Sequence, residues 1–295
     1  MLSADVMRQI RRIELRTRRL VNDSFAGSYH AVFKGRGITF DAVRAYEPGD
    51  DVRDIDWNVT ARTGDPYIKQ YVEERELTVM LVLDASASIL FGSVKWLKRD
   101  LAAELGAVLA LSAISNNDKV GLLVFSDQIE LFIPPRKGRN HVLRLIRDLM
   151  AAEPTGQGTD LVLALKTING VLKRRAIVFL ISDFLMSSDD YLRELMITSR
   201  RHDVIAVTIS DRLEQAWPDV GLVKLEDAET GLTTWVDTGP RAWRRGFSIQ
   251  AQRFQKARDE ALVRARVDRI DLPSDGDYVR ALAQFFKRRE RHSRL

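Results

Sequence analysis

Short apolar runs rich in β-branched residues alternate with helical patterns from about residue 78 to the end of the chain. The runs Thr78–Leu83, Ala176–Ile181 and Val204–Ile209 are apolar except for one threonine in each of the first and last, which is typical of strands that are buried on both faces. The segments between them carry apolar residues at helical spacing. The alternation therefore predicts a doubly wound α/β fold with a mostly parallel sheet flanked by helices.

Similar patterns place the elements between these runs. We expect helices over Trp96–Ile114, Leu143–Met150 and Leu161–Leu172, and a further strand over Val120–Phe125. A neighbouring strand begins at Ile129, and the pair Pro134-Pro135 is expected to end it because proline cannot donate to a strand ladder.

The last third of the chain continues the alternation. We expect a hairpin around Glu229-Thr230-Gly231, a long helix over Arg241–Val267, a short strand over Arg269–Leu272 and an amphipathic helix from Asp277 onward. The pair Phe285-Phe286 in that helix is expected to pack in the core.

The first residues differ from the rest of the chain. An arginine-rich helix is predicted at the start, and the following residues up to Glu76 are rich in Gly, Asp and aromatic residues, with short strand-like runs. We therefore predict two domains. Residues 1–77 comprise a helix and a small β-rich module, and residues 78–295 comprise the α/β domain with a C-terminal helical extension.

The sequence contains no cysteine. This excludes a disulfide framework, a thiolate zinc site, an iron–sulfur cluster and a cysteine nucleophile, and it agrees with a reducing compartment. No stretch approaches the roughly 18 consecutive apolar residues of a membrane span, and the N-terminus lacks the apolar core of a signal peptide. We therefore expect a cytoplasmic protein without a membrane span.

The net charge of +5 is concentrated at the two ends of the chain. Residues 1–20 carry six arginines and two acids, and residues 287–295 carry five basic residues and one acid. The body between them is mildly acidic, so no broad basic face for nucleic acid is expected. The basic ends are candidate docking segments.

The pentapeptide Asp84-Ala85-Ser86-Ala87-Ser88 stands where a buried strand ends and the chain turns toward a helix. Its carboxylate and two hydroxyls are hard oxygen donors, which suit Mg²⁺. Two further oxygen-bearing pairs occur in similar places, since Thr159-Asp160 opens a helix and Ser182-Asp183 follows a buried strand. In a doubly wound sheet these sites converge at one edge.

The runs LVLDASAS, GTD and LISDF have the order and spacing of the metal-ion-dependent adhesion site (MIDAS) of von Willebrand factor type A (VWA) domains. Roughly residues 76–210 resemble that family, with Phe184 where the family usually has Gly. The resemblance implies a VWA-like, Rossmann-type fold and a bound Mg²⁺, with Mn²⁺ or Ca²⁺ as alternatives. It implies these metal ligands: Asp84, Ser86, Ser88, Thr159 and Asp183.

A second resemblance precedes the first. The run FKGRGITFDAVRAYEPGDDVRDIDWNVTARTGDPYIKQYVEERELT is similar to the signature of the domain of unknown function 58 family, bacterial proteins in which this signature leads into a VWA domain. Members are often encoded near MoxR-type AAA+ ATPases, which implies such an ATPase, or its client, as a protein partner.

These resemblances predict a metal-dependent protein–protein interaction module, an adaptor or co-chaperone, and not an enzyme. A partner's Asp or Glu would fill an open coordination position at the ion. We expect supporting contacts from Phe91, Gly92 and Phe184 at the same edge of the sheet.

Two other functions stay open at this point. In one, Asp84 is the nucleophile of a Mg²⁺-dependent phosphohydrolase, although the residue two positions later is Ser86 and not a second acid. Lys95 and Lys98 on the following helix could clamp a phosphoryl group, but we expect them to face solvent. In the other, the chain is a scaffold whose metal site is empty, and Asp84, Ser86 and Ser88 serve only as turn and capping residues.

Other motifs favour structural roles. Asp54, Asp56 and Asn58 mimic the first ligands of an EF-hand loop, but Val59 stands where that loop requires Gly. We expect Arg44, Arg53, Arg62 and Asp56 to form ion pairs that pin the small module to the sheet, with Trp57 packed in the core beside them. The four histidines lack ligand spacing, and the glycines near residue 156 do not complete a nucleotide-binding loop.

Overall fold

The computed structural model describes residues 32–33, 39–72, 76–94, 97–152, 154–156, 158–228 and 231–293. The described residues belong to two compact units, residues 33–76 and a larger unit that contains Leu77–Leu295. The predicted first helix lies outside the described residues. No helix in the described ranges combines the length and apolarity that crossing a membrane requires.

The smaller unit contains an antiparallel strand pair. Its elements are β1 (Thr39–Ala45), α1 (Trp57–Thr63) and β2 (Tyr67–Val72). Asp56 caps the N-terminus of this helix, because its carboxylate accepts hydrogen bonds from two backbone N–H groups of the first turn. Gly64 caps the C-terminus and adopts a φ of 88°, which favours glycine.

The acidic residues of this unit make local contacts. Arg44 donates to both carboxylate oxygens of Asp50 at 2.7 and 2.6 Å, so this ion pair is bidentate. The prediction that Trp57 packs in the core is wrong, because its side chain is 64% exposed. The cause is the helix α1 itself, which spans seven residues and buries none of them.

The larger unit contains eight strands within the described ranges. They are β3 (Thr78–Asp84), β4 (Lys119–Phe125), β5 (Ile129–Arg136), β6 (Ile177–Ser182), β7 (Asp203–Ser210), β8 (Leu222–Glu226), β9 (Thr233–Asp237) and β10 (Asp268–Pro273). Six of them form one sheet in the order β10-β7-β6-β3-β4-β5, in which only β5 is antiparallel to its neighbour. The remaining two form the predicted hairpin. The predicted doubly wound, mostly parallel sheet is therefore confirmed.

Helices cover both faces of the six-stranded sheet. They are α2 (Lys98–Ser115), α3 (Arg139–Met150), α4 (Leu161–Val171), α5 (Ser188–Arg201), α6 (Arg241–Arg264) and α7 (Tyr278–Ser293). Met80 and Val82 of β3 pack in one cluster with residues of α4, α5 and α6. Leu81 and Leu83 lie against Gly106 of α2, where a Cβ atom would stand 3.8 and 3.7 Å from their methyl groups. Successive residues of β3 thus face opposite helical layers, which explains its continuous apolar run.

The edge strand β5 differs from the prediction. Pro134-Pro135 does not end the strand, which continues to Arg136. The register between β4 and β5 shifts between Val120 and Leu122, opposite the two prolines. The ladder is already irregular there, so the missing N–H groups are tolerated. The buried pair Phe285-Phe286 confirms the prediction for α7, with exposures of 3% and 1%.

Candidate metal centre

The sheet changes its winding direction between β3 and β6. From β3 the chain proceeds to β4 and β5 on one side, whereas β6, β7 and β10 extend the sheet on the other. In open α/β sheets, ligands bind outside the carboxyl ends of the strands at this switch point. Asp84 ends β3 and Asp183 directly follows β6, so the two predicted carboxylates flank the switch point.

Asp84 is buried and held from two sides. Its Oδ1 accepts from the N–H of Ser86 at 2.9 Å, and its Oδ2 accepts from the hydroxyl of Ser182 at 2.6 Å. The residue is 3% exposed. Burial, followed by the negative charge of Asp183, raises the pKa of Asp84 to about 6, although these hydrogen bonds act in the opposite direction. A raised pKa is the signature of a buried carboxylate that lacks sufficient positive charge nearby.

The hydroxyls of the pentapeptide connect the two carboxylates. The Oγ atoms of Ser86 and Ser88 lie 3.2 Å apart, and Ser88 donates to Oδ2 of Asp183 at 2.8 Å. The N–H of Leu185 donates to Oδ1 of Asp183 at 3.2 Å. Four of the five predicted ligands, Asp84, Ser86, Ser88 and Asp183, thus form one cluster of oxygen donors.

Thr159 lies at the same edge of the sheet, in the loop before α4. The N–H of Asp160 donates to the carbonyl oxygen of Ser126 at 2.8 Å, which ties this loop to the end of β4. Strand β4 is the direct neighbour of β3. The carboxylate of Asp160 accepts from the N–H of Leu163 and caps α4.

Lys98 is a site residue that the sequence reasoning placed wrongly. Instead of facing solvent it is fully buried, and its Nζ lies 2.6 Å from Oδ2 of Asp183 and also contacts Oε1 of Glu214. Burial alone would lower the pKa of Lys98, but the charges of Asp183 and Glu214 outweigh burial and raise it. Lys95 lies outside the described residues.

Glu214 belongs to a loop that links three parts of this edge. Its Oε2 accepts from the N–H of Asp211 at 2.8 Å, within a capping box that opens a short 3₁₀ turn after β7. Oδ2 of Asp211 accepts from the N–H of Ser93 at 2.9 Å and from the hydroxyl of Ser274 at 2.7 Å. The loops before α2, after β7 and after β10 are therefore joined. Burial raises the pKa of Glu214 even though it contacts Lys98.

Phe184 is not available for a partner, contrary to the prediction. It is fully buried and packs edge to face on Tyr191, with ring centroids 6.0 Å apart. Its φ is 54°, in the left-handed region that favours glycine. A non-glycine residue holds this conformation because its ring is fixed in the core between α5 and the sheet.

Exposed apolar residues instead follow the cluster residues along the chain. They follow Ser88 in the loop that leads into α2 or follow Phe184 after β6. We name them the apolar rim: Leu90, Phe91, Val94, Leu97 and Leu185, with exposures of 45%, 39%, 56%, 43% and 45%. Phe91 was expected to be exposed at this edge, and the other four were not identified from sequence.

The sequence model described as "Protein of unknown function DUF58" matches residues 42–257. The chain belongs to the DUF58 family. The DUF58 chain is 33% identical to the uncharacterized protein Rv1480 of Mycobacterium tuberculosis over 294 residues, which cover 96% of this chain and 89% of the relative. The uncharacterized protein MAV169 of Mycobacterium avium is 32% identical over 171 residues, which cover 54% of this chain and 94% of the relative.

One solved structure with low sequence identity shares the architecture. An aerotolerance-related membrane protein from Bacteroides fragilis has a TM-score of 0.50 at 17% identity, over 72% of this chain and 99% of that chain. This likeness concerns the fold alone. The protein BatB from Bacteroides thetaiotaomicron (TM-score 0.49, 15% identity, 73% of this chain and 99% of that chain) and the VWA domain of SpRpn10 (0.39, 11%, 72% and 95%) are more distant matches.

The donors of the DUF58 chain fit a hard divalent cation. The described ranges contain no group of three or more Asp, Glu, His or Cys arranged for a metal, so the cluster relies on two carboxylates supplemented by hydroxyls. Oxygen-only donors suit Mg²⁺, which keeps several waters and needs few protein ligands.

Proposed function

We propose that this DUF58 protein is a protein-interaction module whose binding edge is built on a Mg²⁺ site. The metal ligands proposed are Asp84, Ser86, Ser88, Thr159 and Asp183, with Mn²⁺ or Ca²⁺ as alternative ions. The observation that carries the proposal is the burial of Asp84 and Asp183 side by side at the switch point, linked by serine hydroxyls. Of these two buried carboxylates, Asp183 is paired with Lys98, whereas Asp84 accepts only from a backbone N–H and a hydroxyl, so a further cation at this ligand-binding edge would find unpaired negative charge at Asp84.

The ion would supply positive charge and a coordination position that a carboxylate of a protein partner can fill. The chain supplies the geometry. Ser182 and the N–H of Ser86 fix Asp84, while Ser88 and the N–H of Leu185 fix Asp183. Because these contacts are already formed, little reorganisation is needed for binding.

The apolar rim supports a protein as the partner. Its five exposed side chains belong to the segments that follow Ser88 and Asp183, and an apolar zone around a few polar anchors is a common interface design. The matching partner surface would present an Asp or Glu flanked by apolar side chains. By family resemblance we propose a MoxR-type AAA+ ATPase or its client in this role, in the cytoplasm, where a cysteine-free chain is well suited.

The phosphohydrolase alternative has less support. The residue two positions after Asp84 is Ser86, so no second acid for proton transfer follows the candidate nucleophile. Lys98, the candidate phosphoryl clamp, is instead paired with Asp183 and Glu214.

Two measurements test the proposal. The first is calorimetric titration of the EDTA-treated protein with MgCl₂, for the wild type, Asp84→Asn and the control Asp190→Asn, which changes an exposed carboxylate on α5. The second is binding of the purified ATPase in Mg²⁺ and in EDTA. We expect saturable Mg²⁺ binding that Asp84→Asn abolishes and Asp190→Asn leaves unchanged, and ATPase binding that requires Mg²⁺.

A result that contradicts the expectation has a different meaning for each measurement. Wild-type protein without Mg²⁺, Mn²⁺ or Ca²⁺ binding would contradict the metal site and favour the scaffold with an empty site. Metal binding combined with ATPase binding that is indifferent to EDTA would contradict the metal-dependent interface. Steady phosphate release from a simple phosphate ester that is lost in Asp84→Asn would favour the phosphohydrolase alternative.

A further inference from the structure

We infer that Lys98 and Glu214 form a built-in charge pair that sets how tightly the site holds its divalent cation. The inference rests on the proposed metal site. It assigns a function to two residues outside the ligand set.

Lys98 donates to an oxygen atom of one proposed ligand, Asp183. Oδ2 of Asp183 accepts from Nζ of Lys98 at 2.6 Å and from the hydroxyl of Ser88 at 2.8 Å. The side chains of Lys98 and Asp183 are 0% and 1% exposed, so water screens the ammonium little. A divalent ion at Asp183 would therefore experience a nearby positive charge that opposes its binding.

Glu214 acts in the opposite direction. Its Oε1 contacts Nζ of Lys98, while its Oε2 is fixed by the N–H of Asp211 at 2.8 Å. The glutamate draws the ammonium away from sole pairing with Asp183, and it adds negative charge to the surroundings of the ion. Because the capping box of the loop holds Glu214 in place, the pair is a rigid part of the site.

The charges of the group match a divalent ion. Counted by formal charge, Asp84, Asp183 and Glu214 contribute three negative charges and Lys98 contributes one positive charge, so two negative charges remain for the cation to neutralise. Replacing Lys98 by Met leaves three negative charges, and replacing Glu214 by Gln leaves one. Making both changes restores the two negative charges of the wild type. Affinity for the ion should follow this series.

The experiment is calorimetric titration with MgCl₂ at pH 7.5 of the wild type, Lys98→Met, Glu214→Gln and the double variant. We expect Kd to fall about tenfold in Lys98→Met and to rise about tenfold in Glu214→Gln, the order of effect that one nearby charge has in a partly screened site. The double variant should return to within about threefold of the wild type, because its charge is restored.

The chain offers matched controls on α6. Lys256 and Glu260 form an exposed ion pair at 3.9 Å, with exposures of 78% and 57%. Lys256→Met and Glu260→Gln change the net charge of the chain by the same amounts and should leave Kd unchanged. Thermal melts of each variant identify any loss of folding.

The possible outcomes separate this inference from the proposed function. Equal Kd values in wild type, both single variants and the double variant would overturn the inference while the metal site stands. Loss of binding in both single variants, with intact folding, would also overturn it, since it would show a purely structural role. If Lys98→Met fails to fold, a weakened Glu214→Gln restored by the double variant still supports it. Metal binding in none of the proteins would overturn both proposals.

Discussion

The hydroxyl of Ser182 donates to Oδ2 of Asp84 at 2.6 Å, which joins the last residues of β6 and β3 across the switch point. The same oxygen of Ser182 accepts from the N–H of Phe184 at 2.9 Å. Ser182 therefore orients the first carboxylate of the candidate site and fixes the backbone that carries the second. A fully buried serine with both functions makes the site part of the core of the sheet.

Ser182→Ala should destabilise the protein by about 1–3 kcal/mol, because two buried groups lose their hydrogen-bond partner. It should also weaken Mg²⁺ binding. Urea unfolding and calorimetry measure the two effects. The control is Ser187→Ala, since Ser187 is exposed and its side chain makes no capping bond to α5. Equal stabilities of the two variants would contradict the role of Ser182.

Phe184→Gly should be more stable than Phe184→Ala, although glycine is usually the less stable of the two replacements. Both remove a buried ring, which costs about 3–5 kcal/mol. At a φ of 54°, however, glycine avoids the strain of a Cβ atom, so we expect Phe184→Gly to be about 1 kcal/mol more stable than Phe184→Ala. Midpoints of urea unfolding test the order. A less stable glycine variant would show that the backbone relaxes when the ring is removed.

His202 should make the protein sensitive to mild acid. It is 2% exposed, and neither of its ring nitrogens has a hydrogen-bond partner within the described residues. Burial, with smaller contributions from Arg201 and Arg175, lowers its pKa. The unfolded state therefore binds the proton more readily than the folded state. The free energy of unfolding should not depend on His202 above a pH of about 6.5 and should decrease below it.

The variant His202→Leu tests this pH dependence. We expect the free energy of unfolding of the wild type to fall between pH 7.5 and 5 by about 1 kcal/mol more than that of the variant. Equal slopes in the two proteins would assign the acid sensitivity to other groups.

Glu130 should hold the loop that leads to Thr159. Its carboxylate accepts from the hydroxyl of Ser126 at 2.6 Å and from the N–H groups of Gly156 and Thr155 at 2.8 and 3.1 Å. Burial alone would raise the pKa of Glu130, but these hydrogen bonds outweigh it and lower the pKa to about 2. The stabilisation is thus present above the unfolded pKa of about 4.3 and is lost as pH falls toward 2.

Glu130→Ala should release this loop without unfolding the sheet. We expect faster proteolytic cleavage near residue 155 and a loss of about 1 kcal/mol in stability at pH 7. Glu226→Ala, at an exposed position of β8, is the matched control. An unchanged cleavage pattern would contradict the anchoring role of Glu130.

Sequence patterns predicted the inner strands of the sheet because β3, β4, β6 and β7 are buried on both faces. The run of β3 is buried from its second residue onward and is therefore easy to distinguish from a surface segment. Asp84 marks the end of the strand. The convergence of the carboxylates then follows from topology alone, since parallel strands present their carboxyl ends at one edge.

Long-range pairing was outside the reach of the same patterns. Lys98 meets Asp183 and Glu214, which lie 85 and 116 residues away in the chain. A lysine that opens a helix usually faces solvent, so local spacing gave no signal of its burial. The exposure of Trp57 was missed because the local sequence does not show that α1 buries none of its seven residues.

The two prolines of β5 also affect how copies of this protein can associate. Among the described strands, β5 is the outermost on its side of the sheet, and consecutive residues of a strand direct their backbone donors to opposite sides. One of Pro134 and Pro135 therefore removes a donor from the outer side, where a strand of another molecule would have to pair. This edge is thereby protected against sheet extension and aggregation.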